Sequence, residues 1–266
     1  MHNQPLKIIQ ISDIHLHSDV RGELLRVNTH DSYQAVLDLV RAKHAKDTDL
    51  IILSGDLTQD GSLEAYARVA DLIEPFNIPV YCVPGNHDNP KMMKQVYPRG
   101  NVSNNKHIVL KNWQIILLDS HKPDAVEGYL DASELEYMQH CLQKHPDQHA
   151  IILFHHQPVP VGSRWLDKLW VTNADEFWAA IAKYPQIKTV LFGHVHQEFQ
   201  QAVNGMTIYA TPSTCIQFKP HQDRFGLDHL PPGYRWIHLF EDGHIETGVE
   251  RIAEYIGVFD KDAKGY

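Results

Sequence analysis

Asp13, His15, Asp56, Asn86, His155, His194 and His196 are oxygen and nitrogen donors that fall in five short groups along the chain. The groups read Asp13-Ile14-His15, Gly55-Asp56, Gly85-Asn86-His87-Asp88, His155-His156 and Gly193-His194-Val195-His196. Carboxylate, amide and imidazole donors without a thiolate suit Mn, Fe, Zn or a similar borderline cation. They do not suit a structural zinc site, which is usually rich in cysteine. The chemistry they point to is that of a two-metal centre.

Each group comes at the end of a short apolar, β-branched run: residues 6–11, 50–53, 80–83, 151–154 and 189–192. Buried strands have this pattern. Ligands of open α/β sheets sit beyond the carboxyl ends of the strands. The five strands are therefore expected to aim all seven donors at one edge of a sheet. In extended backbone, residues i and i+2 point to the same side. Asp13 and His15 are then expected to grip one ion together. The same geometry applies to His194 and His196, unless the Gly193 turn lets them diverge to two ions. Gly55, Gly85 and Gly193 precede donors, which implies a tight turn or a close backbone approach.

The rest of the chain alternates strand and helix early and is mainly strand later. Helices are expected over 28–44, 62–76, 90–96, 131–145 and 175–184. Asn28 or Thr29 caps the first, Ser62 the second, and Asp131 the fourth with Glu134 three residues on. Hairpins are expected at 108–110/113–118, at 200–203/207–210 around Asn204-Gly205, and at 234–240/244–251 around Asp242-Gly243. Long connections over 156–173 and 215–233 are expected to be functional. The tail from Ile252 shows no clear period, and no internal repeat or low-complexity linker is evident. The expected fold is mixed α/β, with sheets packed on each other and helices outside.

With 266 residues, the chain suffices for one large α/β domain or two modest ones. At 43% hydrophobic and 21% charged, a folded core is the expectation. The formal net charge of −9 argues against a nonspecific nucleic-acid binder, whose affinity comes from Lys and Arg on phosphates. The start lacks the basic-flanked apolar segment of a signal peptide. No apolar run approaches the ~18 residues of a membrane span. Cys82, Cys141 and Cys215 lie far apart, as expected of reduced thiols in the cytoplasm.

The five groups, in this order over residues 13–196, resemble the calcineurin-like metallophosphoesterases. A finer resemblance is to the bacterial class III cyclic-nucleotide phosphodiesterases. It is carried by Val27-Asn28-Thr29, by Ser32-Tyr33-Gln34-Ala35-Val36-Leu37 and by Trp113-Gln114-Ile115. Further segments are Trp165-Leu166-Asp167, Ala210-Thr211-Pro212-Ser213-Thr214-Cys215 and Gln217-Phe218-Lys219-Pro220-His221. The resemblance implies a four-layer α/β/β/α sandwich of two mixed sheets flanked by helices. It implies a single domain over 1–266, with 211–266 as a cap or substrate-shaping part. It also implies that Asp13, His15, Asp56 and His196 hold one metal. Asp56, Asn86, His155 and His194 would hold the other, with Asp56 bridging. No role is carried over to His156. Protein phosphatases of the family have Gly-Asp-x-Val-Asp-Arg-Gly. This chain has Gly55-Asp56-Leu57-Thr58-Gln59-Asp60-Gly61, without the arginine used on phosphoproteins.

The activity implied is hydrolysis of 3′,5′-cyclic AMP to 5′-AMP, with two Fe, Mn or Zn ions sharing a hydroxide nucleophile. Two divalent ions about 3.5–4 Å apart can clamp the attacking and departing oxygens. Two carboxylates and one hydroxide leave roughly one positive charge, which suits a diester monoanion. His87 is expected to protonate the departing 3′-oxygen or stabilise its charge. His15, Asp56, Asn86, His87 and His196 are expected to face the bound diester. Asp88 either orients His87 or turns the backbone. The metal donors read only phosphate, so a glycerophosphodiester or nucleotide-sugar pyrophosphate is the alternative substrate. A noncatalytic scaffold of the same fold is the alternative class. Discrimination falls to the loops 156–173 and 215–233, where Lys219, His221 and Arg224 either touch nucleotide or are merely solvated. The expected partner is a small cyclic nucleotide, with no polymer and no membrane.

Overall fold

The computed structural model describes residues 4–44, 46–254, 259–260 and 263–265. Part of the tail after Ile252 thus lies outside the described residues. One sheet has the order β14 (Ile245–Arg251), β13 (Gly233–Leu239), β1 (Leu6–Ile11), β4 (Leu50–Ser54), β5 (Val80–Val83) and β6 (Val102–Ser103). Strands β1, β4, β5 and β6 run parallel, and β13 and β14 add antiparallel neighbours. A second sheet has the order β11 (Phe199–Val203), β12 (Met206–Ala210), β10 (Ile187–Phe192), β9 (His149–Leu153), β8 (Trp113–Leu117) and β7 (His107–Leu110). Its centre is parallel, and its edge strands β11 and β7 are antiparallel. A two-stranded ribbon pairs β2 (Glu23–Leu24) with β3 (Val27–Asn28).

Alternation along the central strands builds the layers, because successive side chains leave opposite faces. Ile8, Leu50 and Ile52 join Trp113, Ile115, Leu117, Ile151 and Leu153 between the sheets. Their neighbours Ile9, Ile51 and Leu53 face the other way and meet Val36, Leu37 and Val40 of α1 (Thr29–Lys43). Tyr66, Val69 and Ile73 of α2 (Leu63–Ile73) join the same cluster. On the far side, Ile116, Ile152 and Val190 meet Met138 and Leu142 of α4 (Ala132–Lys144) and Phe177 of α5 (Ala174–Ile181). The architecture is the four-layer α/β/β/α sandwich. Because both faces of the central strands are buried, they read as continuous apolar runs.

Local signals held at most ends. Asn28 Oδ1 accepts from Asp31 N–H and caps α1, and Ser62 Oγ accepts from Ala65 N–H at the start of α2. The short helix α3 (Pro90–Val96) is capped by Asn89. Asp131 departs from expectation: it occupies the cap position of α4 without a side-chain cap hydrogen bond. Glu134, its expected capping partner, instead holds Lys106 and the backbone N–H of Asp119. Helix α5 stops at Ile181, short of the expected 184. Among the described residues, no helix is long and apolar enough to cross a membrane.

One expectation needs correction. The five donor-bearing strands do not share one sheet: β1, β4 and β5 belong to the first, and β9 and β10 to the second. The donors meet because the two sheets pack face to face and their carboxyl ends open on the same side.

Candidate metal centre

Strand β1 ends at Ile11, and Asp13 and His15 follow with φ of 54° and 51°. Asp56, His194 and His196 also have positive φ, at 49°, 65° and 47°. The extended-backbone reasoning for these pairs was therefore wrong, since none of these residues is extended. A left-handed conformation costs a non-glycine residue about 1–3 kcal/mol and persists only where its surroundings fix it. Here they do. Asp13 N–H donates to Gly55 O at 3.1 Å and His15 N–H to Asp56 O at 2.9 Å. His194 N–H donates to both carboxylate oxygens of Asp13, at 3.1 and 3.2 Å. Backbone and donor side chains thus hold one another across the sheets.

The donors sort into two groups. Asp13, His15, Asp56 and His196 offer atoms all within 4.8 Å of one another, fully buried. His155, His156 and His194 form the other such group. His194 and His196 therefore diverge, and Asp13 and His15 stay together. Asp56 lies between the groups: its Oδ2 is 3.3 Å from His155 Nε2 and 3.7 Å from His15 Nε2. The glycines serve close approach. A Cβ on Gly85 would stand 2.2 Å from Asp56 Oδ1, and one on Gly193 would stand 2.0 Å from Ser12 Oγ.

Hydrogen bonding shows which ring atoms face the centre. His155 Nδ1–H donates to Ser54 O at 2.8 Å, and His196 Nδ1–H to Ile216 O at 2.9 Å. Carbonyls only accept, so Nδ1 carries a proton in both rings, and Nε2 is turned to the carboxylates of Asp56 and Asp13. His15 Nε2 and His196 Nε2 face each other at 3.1 Å. Asp13 Oδ1 is 3.4 Å from His196 Nε2. Donors held ~2.0–2.1 Å from one ion stand about this far apart. Asp56 Oδ2, Asn86 Oδ1, His155 Nε2 and both nitrogens of His194 are buried without a hydrogen-bond partner. Buried polar atoms are normally paired, so a cluster of orphans marks a ligand position. The donor set fits a dinuclear divalent site.

His156 differs from its neighbours by the same test, because both of its ring nitrogens have partners. Its Nδ1 bonds with Ser120 Oγ at 2.8 Å and its Nε2–H donates to Val126 O at 3.1 Å. Both nitrogens are spent bracing the loop after β8. Sequence reasoning left this residue without a role, because adjacency alone does not reveal where a ring points.

Charge follows burial and neighbours. Burial presses His15 down to about 3 and holds His194 and His156 well below their ordinary value. Burial also works against charge on His155, yet the adjacent Asp56 carboxylate outweighs it and raises the ring to about 9. Burial alone would raise Asp56 and Asp13, but imidazoles outweigh it, His155 for Asp56 and His196 for Asp13; both stay below the usual carboxylate range.

Around this centre, His87 is half-buried, with its ring edge-on to His15 at 4.9 Å and its backbone N–H donating to Asp56 Oδ1 at 2.9 Å. Asp88 acts on the backbone. Its carboxylate accepts from Gly85, Leu57 and Thr58 N–H, from Thr58 Oγ1–H and from Tyr66 O–H. It staples the loop after β4 to the loop after β5. Burial and the nearby Asp56 raise it to about 6.

The two long loops meet beside His196. Phe218 stacks on the His196 ring, with centroids 4.2 Å apart and planes at 14°. Trp165 packs on Phe218 and Phe225 at 5.0 and 5.2 Å. Gln222 N–H reaches Ser163 Oγ at 3.4 Å. Lys219, His221 and Arg224 are exposed. Gln59, whose amide oxygen bonds with His15 Nδ1 at 2.6 Å, went unnoticed in the sequence. Its position three residues past Asp56 carries no signal of its own.

The Calcineurin-like phosphoesterase family model matches residues 6–198. The chain is 41% identical over 262 residues to the 3′,5′-cyclic adenosine monophosphate phosphodiesterase CpdA of Escherichia coli, covering 98% of this chain and 95% of that protein. It is 37% identical to the CpdA of Pseudomonas aeruginosa, covering 97% and 94%. It is 36% identical to a 3′,5′-cyclic-nucleotide phosphodiesterase of Nostoc sp., covering 93% of each. In fold it is similar to a dimetal phosphatase from Danio rerio, with a TM-score of 0.64, 12% identity, and 96% and 100% of the two chains covered.

Proposed function

Because the chain belongs to the calcineurin-like phosphoesterase family, we propose that it hydrolyses 3′,5′-cyclic AMP to 5′-AMP at the buried Asp–His centre. The observation that carries this is near-full-length identity of 36–41% to relatives named for cyclic-nucleotide hydrolysis. The orphaned donors of the centre support it from the chemical side.

In this reading Asp13, His15, Asp56 and His196 hold one ion of Mn, Fe or Zn, and Asp56, Asn86, His155 and His194 hold the other. When bound, such a pair would supply positive charge and a water activated for attack on phosphorus. Asn86 contributes an oxygen without charge, which keeps the site positive enough for a diester monoanion. Burial favours the neutral rings of His15 and His194, which present lone pairs. His87, edge-on to His15 and spent on no ion, holds a proton at the rim and gives it to the departing 3′-oxygen. His15, Asp56, Asn86, His87 and His196 face the diester, and the Trp165–Phe218–Phe225 contact shapes the side from which the nucleotide enters. The chain acts as one domain over 1–266, with the stretch after 211 shaping the substrate side. We place the reaction in the cytoplasm, in keeping with three buried free thiols.

The test is turnover of cyclic AMP by purified protein loaded with Mn²⁺, Fe²⁺ or Zn²⁺, with products separated by chromatography. The expected product is 5′-AMP. Formation of 3′-AMP, or no turnover with any of the three metals, overturns the reading.

A further inference from the structure

The segment from Ser213 to Phe218 reaches donors of both sheets. On one side, Ile216 O accepts from His196 Nδ1–H at 2.9 Å, and Phe218 N–H donates to His196 O at 3.2 Å. On the other, Thr214 N–H donates to Ser12 O at 3.2 Å, beside the parallel Ser12–Ser213 bridge. None of these bonds uses a side chain of the segment. The Ser213 side chain adds to them. Its Oγ–H donates to Asp13 O at 2.7 Å, and the same oxygen accepts from Cys215 N–H at 2.9 Å. Ser213 is fully buried, so water does not compete for either bond.

We propose that Ser213 is a positioning residue whose hydroxyl holds the Asp13 carbonyl and thereby keeps the Asp13 carboxylate on His194. The proposal rests on the dinuclear reading above. Asp13 stands at a φ of 54°, a conformation that persists only where its surroundings fix it. It is held at both of its peptide groups. Its N–H donates to Gly55 O at 3.1 Å, and its carbonyl accepts from Ser213. So placed, its carboxylate accepts from His194 N–H at 3.1 and 3.2 Å. Without the hydroxyl, Asp13 O loses this donor, and the residue can relax toward an ordinary negative φ. Its carboxylate then swings off the His194 N–H. Cys215 N–H loses its acceptor at the same time, just before the Ile216 carbonyl that orients His196. One hydroxyl thus couples a donor of the first sheet to a donor of the second. Ser32 makes a contrast: its Oγ–H donates to Thr214 O at 2.5 Å and ties the same segment to α1 rather than to the centre.

The test compares wild type, Ser213→Ala and Ser32→Ala in two measurements. In metal-free protein, amide hydrogen exchange followed by NMR reports whether His194 N–H stays on the Asp13 carboxylate. The expectation is exchange about 10-fold or more faster in Ser213→Ala, with the amides of β9 unchanged. Ser32→Ala should keep the wild-type protection of His194. In Mn²⁺ titrations, Ser213→Ala should weaken at least one of the two ions by about 10–100-fold, the usual effect of losing a partner behind a ligand. Ser32→Ala should weaken neither. Should the alanine variant at 213 not fold, Ser213→Cys, whose thiol is a weaker donor and acceptor, should show the same changes at smaller amplitude. Wild-type protection of His194, or unchanged Mn²⁺ affinities, in the Ala or Cys variant overturns the proposal. So does an equal loss in Ser32→Ala, which would make the effect one of loop stability. A wild type that takes up no pair of ions overturns the dinuclear reading instead, and hydrogen exchange then decides on Ser213 alone.

Discussion

Asp56 Oδ2 and His155 Nε2 face each other at 3.3 Å, fully buried, and neither has a hydrogen-bond partner. The same carboxylate oxygen is 3.7 Å from His15 Nε2 in the other donor group. One oxygen thus lies within 3.7 Å of a donor of each group. Replacing Asp56 by Ala should empty both halves together. Metal analysis should find little of either ion, and cyclic AMP turnover should fall roughly 10³-fold or more. Two ions per chain with normal turnover would sink the bridging assignment.

His87 gives a sharper test, because it touches the centre without being a donor in either group. A 3′-alkoxide leaves poorly and needs a proton, whereas a nitrophenolate leaves unaided. General acid help is typically worth ~10²–10⁴ in rate. His87→Ala should cost about that factor on cyclic AMP and much less on bis-p-nitrophenyl phosphate, at unchanged metal content. Equal losses on both substrates would reduce His87 to a group that positions the diester.

Asp88 should matter for stability as much as for rate. Its carboxylate is the acceptor for three backbone N–H groups and two hydroxyls. Each buried donor left unpaired costs about 1–3 kcal/mol. Asp88→Ala is therefore expected to lose at least about 3 kcal/mol in urea unfolding, with Asp88→Asn losing less. If Asp88→Ala unfolds like wild type while only the His87-dependent step suffers, Asp88 orients His87 after all.

Trp165 should separate substrates. Its ring lies on Phe218, which backs His196, and its Nε1–H is buried without an acceptor. Trp165→Ala is expected to lower kcat/KM for cyclic AMP by roughly 10-fold or more, the scale of a lost pocket contact. Bis-p-nitrophenyl phosphate should be affected far less, with both ions retained. An unchanged ratio between the two substrates would assign the 156–173 loop to structure alone.

Sequence alone was enough for the donor types, their order and their place at strand ends, because those are local. A run such as 50–53 is apolar on both faces only if both faces are buried, and Gly55-Asp56 follows it without help from the rest of the chain. Packed sheets with outer helices were legible from the alternation of elements, and the four-layer order from resemblance to a family. What tertiary structure alone decided is which donors come within reach of one another. His15 and His196 are 181 residues apart and come from different sheets, so no spacing rule relates them. The i, i+2 argument failed for Asp13 and His15 because their backbone is left-handed, held there by hydrogen bonds from the neighbouring loops. The roles of His156, Asp88 and Gln59 were equally closed to sequence. Each depends on where two nitrogens or two oxygens point once the sheets have packed, and a residue's name does not carry that direction.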